Sequence, residues 1–271
     1  MSNKYKWPVE FLGILLAVVW LVPFYLMIVN AFKTKKEIFG NTLNLPEQWS
    51  FDNFTEAFKE LNFLQTFFNS LFITFVSVAI IILFSSMAAY ALSRNKRKIS
   101  TILFFLFVAA MLIPFQSVMI PLISLFGKLE MLNRPGIIFM YLGFGSSLSI
   151  FLYHGVLTGI PQSLDEAATI DGANRFQIFW YIIFPILRPI TVTVAILNTI
   201  WIWNDYLLPS LVLNQEGQET LPLKMFFFFG EYTKQWHLAL AGLTLAIIPV
   251  IIAYFFAQRQ IIKGVTEGSV K

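Results

Sequence analysis

Long apolar runs without charge alternate along this chain with short segments that carry nearly all of its charge. Phe11–Phe32 is 22 residues without a charged side chain, Phe67–Leu92 is 26 and Ile99–Gly127 is 29. A fourth run begins at Pro135 and ends near Thr158. A fifth, from Ile182 to Leu213, is interrupted by Arg188 and Asp205, and a sixth covers Leu238–Gln258. Roughly 20 apolar residues of α-helix cross a bilayer's hydrocarbon core, and a helix satisfies its own backbone there. The pattern therefore predicts an all-α membrane protein with six transmembrane helices. Neither the ten-residue alternation of a β-barrel nor the amphipathic stripes of a soluble core is present. Pro23, Pro114, Pro121, Pro209 and Pro249 fall inside the runs, as static kinks or as hinges. Ser85, Ser86, Ala88 and Ala89 are small enough for close helix packing in the second span.

Composition narrows the class further. Of the 271 residues 57% are hydrophobic and 13% charged, about half the charge of a soluble domain. With the N-terminus inside, the cytoplasmic segments hold 11 of the 19 Lys and Arg but only 5 of the 15 acids. That asymmetry predicts both ends on the cytoplasmic side, and the Arg94–Lys98 run is its strongest element. Lys33, Lys35 and Lys36 run against it. The first run is too long for a signal-peptide core and lacks a small-x-small cleavage site, so it reads as an uncleaved span. The net charge of +4 is orientation charge, and no nucleic-acid partner is expected. With no cysteine, disulfides, thiol nucleophiles and cysteine metal sites are excluded. His154 and His237 lack metal-ligand spacing, and His154 is expected to hydrogen-bond a neighbouring helix. There is no G-x-x-x-x-G-K-[ST] phosphate loop and no catalytic constellation, so the chain is not expected to be an enzyme.

The loop between the fourth and fifth spans, Pro161–Phe176, carries the most information. Ser163 and Glu166 have capping-box spacing, and Asp165 and Glu166 suit the positive end of a helix. The helix should run to about Asp171 and stop at Gly172 in a left-handed cap. Asn174 then caps a second helix leading to Pro185. Ala167 and Ala168 leave the first helix a thin face for docking into another protein's groove.

Glu166-Ala167-Ala168, three residues, Gly172, nine residues and Ile182-Ile183-Phe184-Pro185 resemble the EAA motif of binding-protein-dependent ABC importer permeases, with Phe184 where leucine is usual. Asn30–Phe39, Trp203-Asn204-Asp205 and Gln258–Thr266 are similar to the shorter permease of maltose-type sugar systems. The resemblance implies an ABC type I importer permease fold, with an N-terminal tail, first helix and extracytoplasmic loop over 1–66. A five-helix core would follow over 67–262, with its cytoplasmic coupling loop at 159–181, and a cytoplasmic tail over 263–271. It also implies a second permease subunit, two ATP-binding subunits, an extracytoplasmic solute-binding protein and a carbohydrate substrate, di- or oligosaccharide. ATP and Mg would be bound by the partner ATPase, with no cofactor in this chain. Glu166, Ala167, Ala168, Asp171, Gly172 and Pro185 would couple to the ATPase, and the final tail would touch it as well.

Asn198, Trp201 and Asp205 fall at i, i+3 and i+7 of the fifth span, with Asn204 beside them. An indole and amide and carboxylate groups on one face match a sugar's C–H faces and hydroxyls. The same residues also fit an aromatic belt at the membrane interface. Rival functions are an ABC permease for a non-sugar solute, a stand-alone secondary transporter and a membrane-embedded enzyme. The second of these usually needs buried ionisable pairs for ion coupling, and the spans carry only Arg188 and Asp205.

Overall fold

The structure, a computed structural model, describes residues 6–230 and 234–267. In chain order its helices are α1 (Lys6–Ala31), α2 (Lys35–Gly40), α3 (Asp52–Glu60), α4 (Phe63–Arg94), α5 (Lys98–Ala110), α6 (Phe115–Lys128), α7 (Arg134–Leu157), α8 (Ser163–Ile170), α9 (Arg175–Ile178), α10 (Phe184–Ile186), α11 (Arg188–Asn204), α12 (Leu207–Val212), α13 (Leu221–Phe226) and α14 (Trp236–Glu267). Among the described residues the only β pairing is an isolated Phe229–Lys234 bridge. The chain divides into two compact units: residues up to Gln65 with Lys224–Ala253, and a larger one built on Thr66–Leu223.

In the first unit α1 is an apolar helix with almost no buried side chains until its last turns. Asn53, in the first turn of α3, donates its amide to the Ala31 and Lys33 carbonyls at 2.8 Å each, satisfying acceptors that a helix end leaves open. Phe32 packs among Trp49, Phe51 and Phe54 with ring centroids 4.8–5.3 Å apart. Thr34 and Glu37 form a capping box at α2. The Thr34 backbone amide, its hydroxyl and the Glu47 amide together hold the Glu37 carboxyl below the usual carboxylate range, because each of these donors favours the ionised form.

Within the larger unit α4 and α7 are unbroken and long enough to cross a bilayer. Asn133 caps α7 through the Gly136 amide at 3.0 Å, and Pro135 occupies its first turn, where no amide is needed. Ser85, Ser86 and Ala89 are fully buried on α4, as small residues at a helix contact should be. One apolar cluster gathers Ile73, Ile81, Ile137, Tyr141, Ile202 and Val212, and a second gathers Ala89, Ile150, Tyr153, Leu157, Ile183 and Val194. Asn69 donates to the Gly217 and Glu219 carbonyls, and Arg134 donates to Asn69 and Gly217. A half-buried polar knot thereby pins the 214–220 loop.

Two predicted spans are not straight helices. Ile99–Gly127 is divided into α5 and α6, whose axes meet at 103°. Pro114 stands in extended conformation before α6; its ring bars Ile113 from helical geometry, and it has no amide to continue α5. The fifth span bends by 76° between Arg175–Ile186 and Arg188–Asn204. Ahead of Pro185 the helix widens into a π-helical stretch, Phe179–Ile183, in which the Phe184 amide reaches the carbonyl of Phe179. Pro185 and Pro189 lie in the first turns of α10 and α11. Length and composition thus license three unbroken spans, or five with each bent pair taken as one, beside the shorter apolar stretch Trp236–Ile252 of α14. The expected tail 263–271 continues α14 as far as Glu267, and its last residues, 268–271, lie outside the described residues.

Candidate coupling site and polar layer

The predicted loop helix is present as α8, but it starts differently. Its N-cap is Gln162 in helical conformation, with no side-chain cap hydrogen bond. The Leu164, Asp165 and Glu166 amides already find the carbonyls of Pro161 and Gln162. Ser163 therefore stands one position inside the helix, and the Ser163–Glu166 capping box does not form. The other end is as expected: Gly172 has φ +86°. The Ala173 amide bonds the Ala168 carbonyl at 2.9 Å, and the Gly172 amide that of Thr169 at 3.1 Å. This is a Schellman stop. Asn174 caps α9 through the Gln177 amide, with the Gln177 side chain returning to the Asn174 amide.

What anchors α8 is a charge pair between residues far apart in sequence. Arg94, the last residue of α4, meets Asp165 at 2.9 Å, the two side chains being 15% and 17% exposed. Arg94 also donates to the Ile160 carbonyl at 3.0 Å and the Leu157 carbonyl at 3.4 Å. Tyr90, one turn earlier on α4, donates its hydroxyl to the same Asp165 carboxylate. One guanidinium thus ties the end of α7 and the first turn of α8 to the end of α4. Sequence reading assigned Arg94 to membrane orientation and Asp165 to the helix dipole. The i, i+4 spacing of Tyr90 and Arg94, which places them on one face, was the available signal.

The faces of α8 divide sharply. Ala168 is buried, packed in the cluster that contains Leu157 and Ile178, so it is not part of a free docking face as expected. Glu166, Ala167, Asp171 and Gly172 are exposed, and Ile170 and Phe176 are exposed to 86% and 66%. Pro185 is exposed beyond the π-helical stretch.

On α11 the expected i, i+3, i+7 face holds only in part, because the helix ends at Asn204 and Asp205 is its extended C-cap. Asp205 accepts from the Tyr141 hydroxyl and the Leu207 amide at 2.9 Å each. Asn198 is buried and donates to Ser149 at 3.1 Å and to the Val194 carbonyl at 2.9 Å. Its amide group is therefore committed to holding α7 against α11. Trp201 lies edge-on to Tyr141 and is 41% exposed, and Asn204 is exposed with its amide on the Ile200 carbonyl. Tyr153 and Thr191 make a further α7–α11 contact at 3.1 Å. His154 stacks on Phe104 at 4.0 Å, and among the described residues the interhelical hydrogen bond expected of it does not form. A cleft of about 350 Å³ between α4 and α7, lined by Phe72, Val76, Ile80, Pro135, Ile138, Phe139 and Leu142, is apolar and includes none of these polar groups.

A protein-family model described as "binding-protein-dependent transport system inner membrane component" matches residues 81–267. The chain belongs to that family. It is a transport permease, an integral membrane protein and not an enzyme. The matched region includes α8, Asp165 and the C-terminal part of α4 with Arg94. The permease is 58% identical, over 98% of its length and 97% of the relative's, to the "probable starch degradation products transport system permease protein AmyC" of Thermoanaerobacterium thermosulfurigenes. It is 34% identical, over 97% and 96% of the two chains, to the "melibiose/raffinose/stachyose import permease protein MelC" of Bacillus subtilis. Its fold matches a chain in the crystal structure of a bacterial ABC transporter involved in the import of the acidic polysaccharide alginate. There the TM-score is 0.78 at 23% identity, over 96% of this chain and 98% of that one.

Proposed function

We propose that this permease is one of two membrane subunits of an ATP-driven, binding-protein-dependent importer of oligosaccharides of the kind released from starch. The observation that carries the substrate class is the 58% identity over 98% of the chain to a relative named for starch degradation products. The proposed assembly adds a second permease, two ATP-binding subunits that hold ATP and Mg, and an extracytoplasmic solute-binding protein in a prokaryotic cell membrane. In this reading α5 with α6, and the bent pair leading into α11, each serve as one span. Together with α1, α4, α7 and α14 they give six spans with both ends inside. The proposed partition keeps 1–66 as the N-terminal segment, 67–262 as the core with its coupling loop at 159–181, and 263–271 as the tail. Trp201 and Asn204, the exposed members of the α11 set, would meet sugar, with Asn198 and Asp205 as the frame behind them.

The test is uptake by the reconstituted importer in proteoliposomes. Malto-oligosaccharides should enter only with the binding protein, the ATPase and ATP, and this chain alone should hydrolyse no ATP. Uptake driven by an ion gradient without ATP would establish a secondary transporter instead, and import of amino acids but not sugars would establish a different solute class.

Coupling rests on the exposed side of α8, Glu166, Ala167, Ile170, Asp171 and Gly172, and two substitutions probe it separately. Ile170→Glu alters only an exposed side chain, so the stability of the chain should stay within about 0.5 kcal/mol, while ATPase association and uptake are lost. Gly172→Val puts a β-branched residue at positive φ, where a Cβ would meet no atom within 4 Å. Its cost, about 1–2 kcal/mol, is therefore backbone strain alone. Co-purification of the ATPase with each variant is the measurement. Full association and uptake in both would remove α8 from the coupling surface.

A further inference from the structure

The link after α1 behaves unlike a water-exposed loop. Phe39, Leu43, Leu45, Trp49 and Phe51 are 58–69% exposed within one short stretch, a density of bare large apolar side chains that water does not favour. Part of the backbone of the same stretch is closed off. The Asn41 amide bonds the Glu37 carbonyl at 3.0 Å. The carbonyls of Asn41, Thr42 and Leu43 then accept in succession from Lys33 Nζ at 3.0 Å, Asn30 Nδ2 at 2.9 Å and the Tyr25 hydroxyl at 2.9 Å. The donors step backwards from Lys33, just past α1, into its last turns as the acceptors step forward along the loop, so the chain returns alongside the end of a membrane-crossing helix. The Leu43 and Asn44 amides are met by Asn41 Oδ1 at 2.9 and 3.3 Å.

We propose that residues 39–51 form an interfacial anchor, seated in the leaflet at the C-terminal end of α1 with Leu43 and Leu45 in contact with acyl chains. Internal satisfaction of consecutive carbonyls is what lipid demands and water does not, and aromatic side chains favour this depth. Continuity with α1 places the loop at the membrane surface without any further partner. The anchor also gives the three lysines distinct places. Lys33, 1% exposed, is consumed by the carbonyl ladder. Lys35 and Lys36 are exposed on α2, at the level where lysines reach headgroup phosphates.

The chain has no cysteine, so single-site spin labelling needs no prior substitutions. Leu43→Cys, Leu45→Cys, Lys36→Cys and, as a hydrocarbon reference, Leu15→Cys would be labelled in the full chain in liposomes. The ratio of collision with oxygen to collision with a water-soluble nickel chelate would then be measured at each site. The ratio at 43 and 45 should exceed that at 36 several-fold and approach that at 15. Ratios equal to that at 36 would leave 43 and 45 no deeper than the headgroups, out of contact with acyl chains, and overturn the anchor. Protection from both probes would mean that protein covers the face, and would overturn it equally.

Discussion

An Arg94→Met variant should lose the fixed position of α8 while its membrane helices still assemble. The substitution leaves the Asp165 carboxylate, 17% exposed, without its cation, and removes the donor to the Leu157 and Ile160 carbonyls. Breaking a buried pair from one side costs about 3–5 kcal/mol; the remaining exposure of this pair and the Tyr90 hydroxyl, which still bonds Asp165, place the variant near the lower end. At about 1.4 kcal/mol per decade, hydrogen exchange at the amides of Ser163–Ile170 should accelerate about a hundredfold. Exchange in the middle of α4 should stay slow, and coupled uptake should fall with the docking of α8. Asp165→Asn keeps a hydrogen-bonding group and should cost less. In the Arg94→Met background it should be nearly neutral, because the charge it removes no longer has a partner. Strict additivity of the two substitutions, or unchanged exchange at α8 in Arg94→Met, would show that the pair does not position the helix.

A comparably large effect is expected from a single methyl group at Gly145. A Cβ there would lie 2.5 Å from Ile81 Cδ1 and 2.7 Å from Asn198 Oδ1. The end of Ile81 can rotate away, but Asn198 is held by Ser149 and the Val194 carbonyl, so part of the overlap must move α11 relative to α7. Overpacking of this kind costs about 1–3 kcal/mol. Gly143, two residues earlier on the same helix, has nothing within 4 Å of its Cβ position. Gly143→Ala should therefore be neutral or stabilising by up to about 1 kcal/mol through helix propensity. In thermal unfolding of the full chain in one detergent the Gly145→Ala midpoint should fall while the Gly143→Ala midpoint holds or rises, and Asn198→Ala should rescue part of the Gly145→Ala loss. Equal midpoints for the two glycine variants would disprove a close α4–α7–α11 contact at Gly145.

Features set by local chemistry were legible in the residues alone. Hydropathy over 20-residue windows located α1, α4 and α7, because the length of an apolar run is a property of contiguous residues. Gly172 announced the end of α8, since a left-handed cap disfavours a Cβ, and Asn174 announced the next start. The EAA spacing from Glu166 to Pro185 pointed to the family before any coordinates. Proline positions were equally visible, but whether Pro114 kinks a span or divides it depends on what receives the freed carbonyls.

Tertiary structure alone decided the rest. Arg94 and Asp165 are 71 residues apart, and each had a sufficient local explanation, membrane orientation for one and the helix dipole for the other. Only the meeting of α4 with α8 turns them into a pair. Ala167 and Ala168 are indistinguishable in sequence, yet one is exposed and the other buried, because helical rotation sends neighbouring side chains about 100° apart and the packing of α8 picks the buried one. The cap that Ser163 was expected to make was displaced when Gln162 entered the helix first. Asp205 left its predicted helical face because Tyr141, on another helix, and the Leu207 amide take its carboxylate where α11 ends. Apolar run length, glycine conformation and motif spacing are written residue by residue. Which faces meet across the bundle is settled by the joint packing of segments far apart in the chain, and no local window contains it.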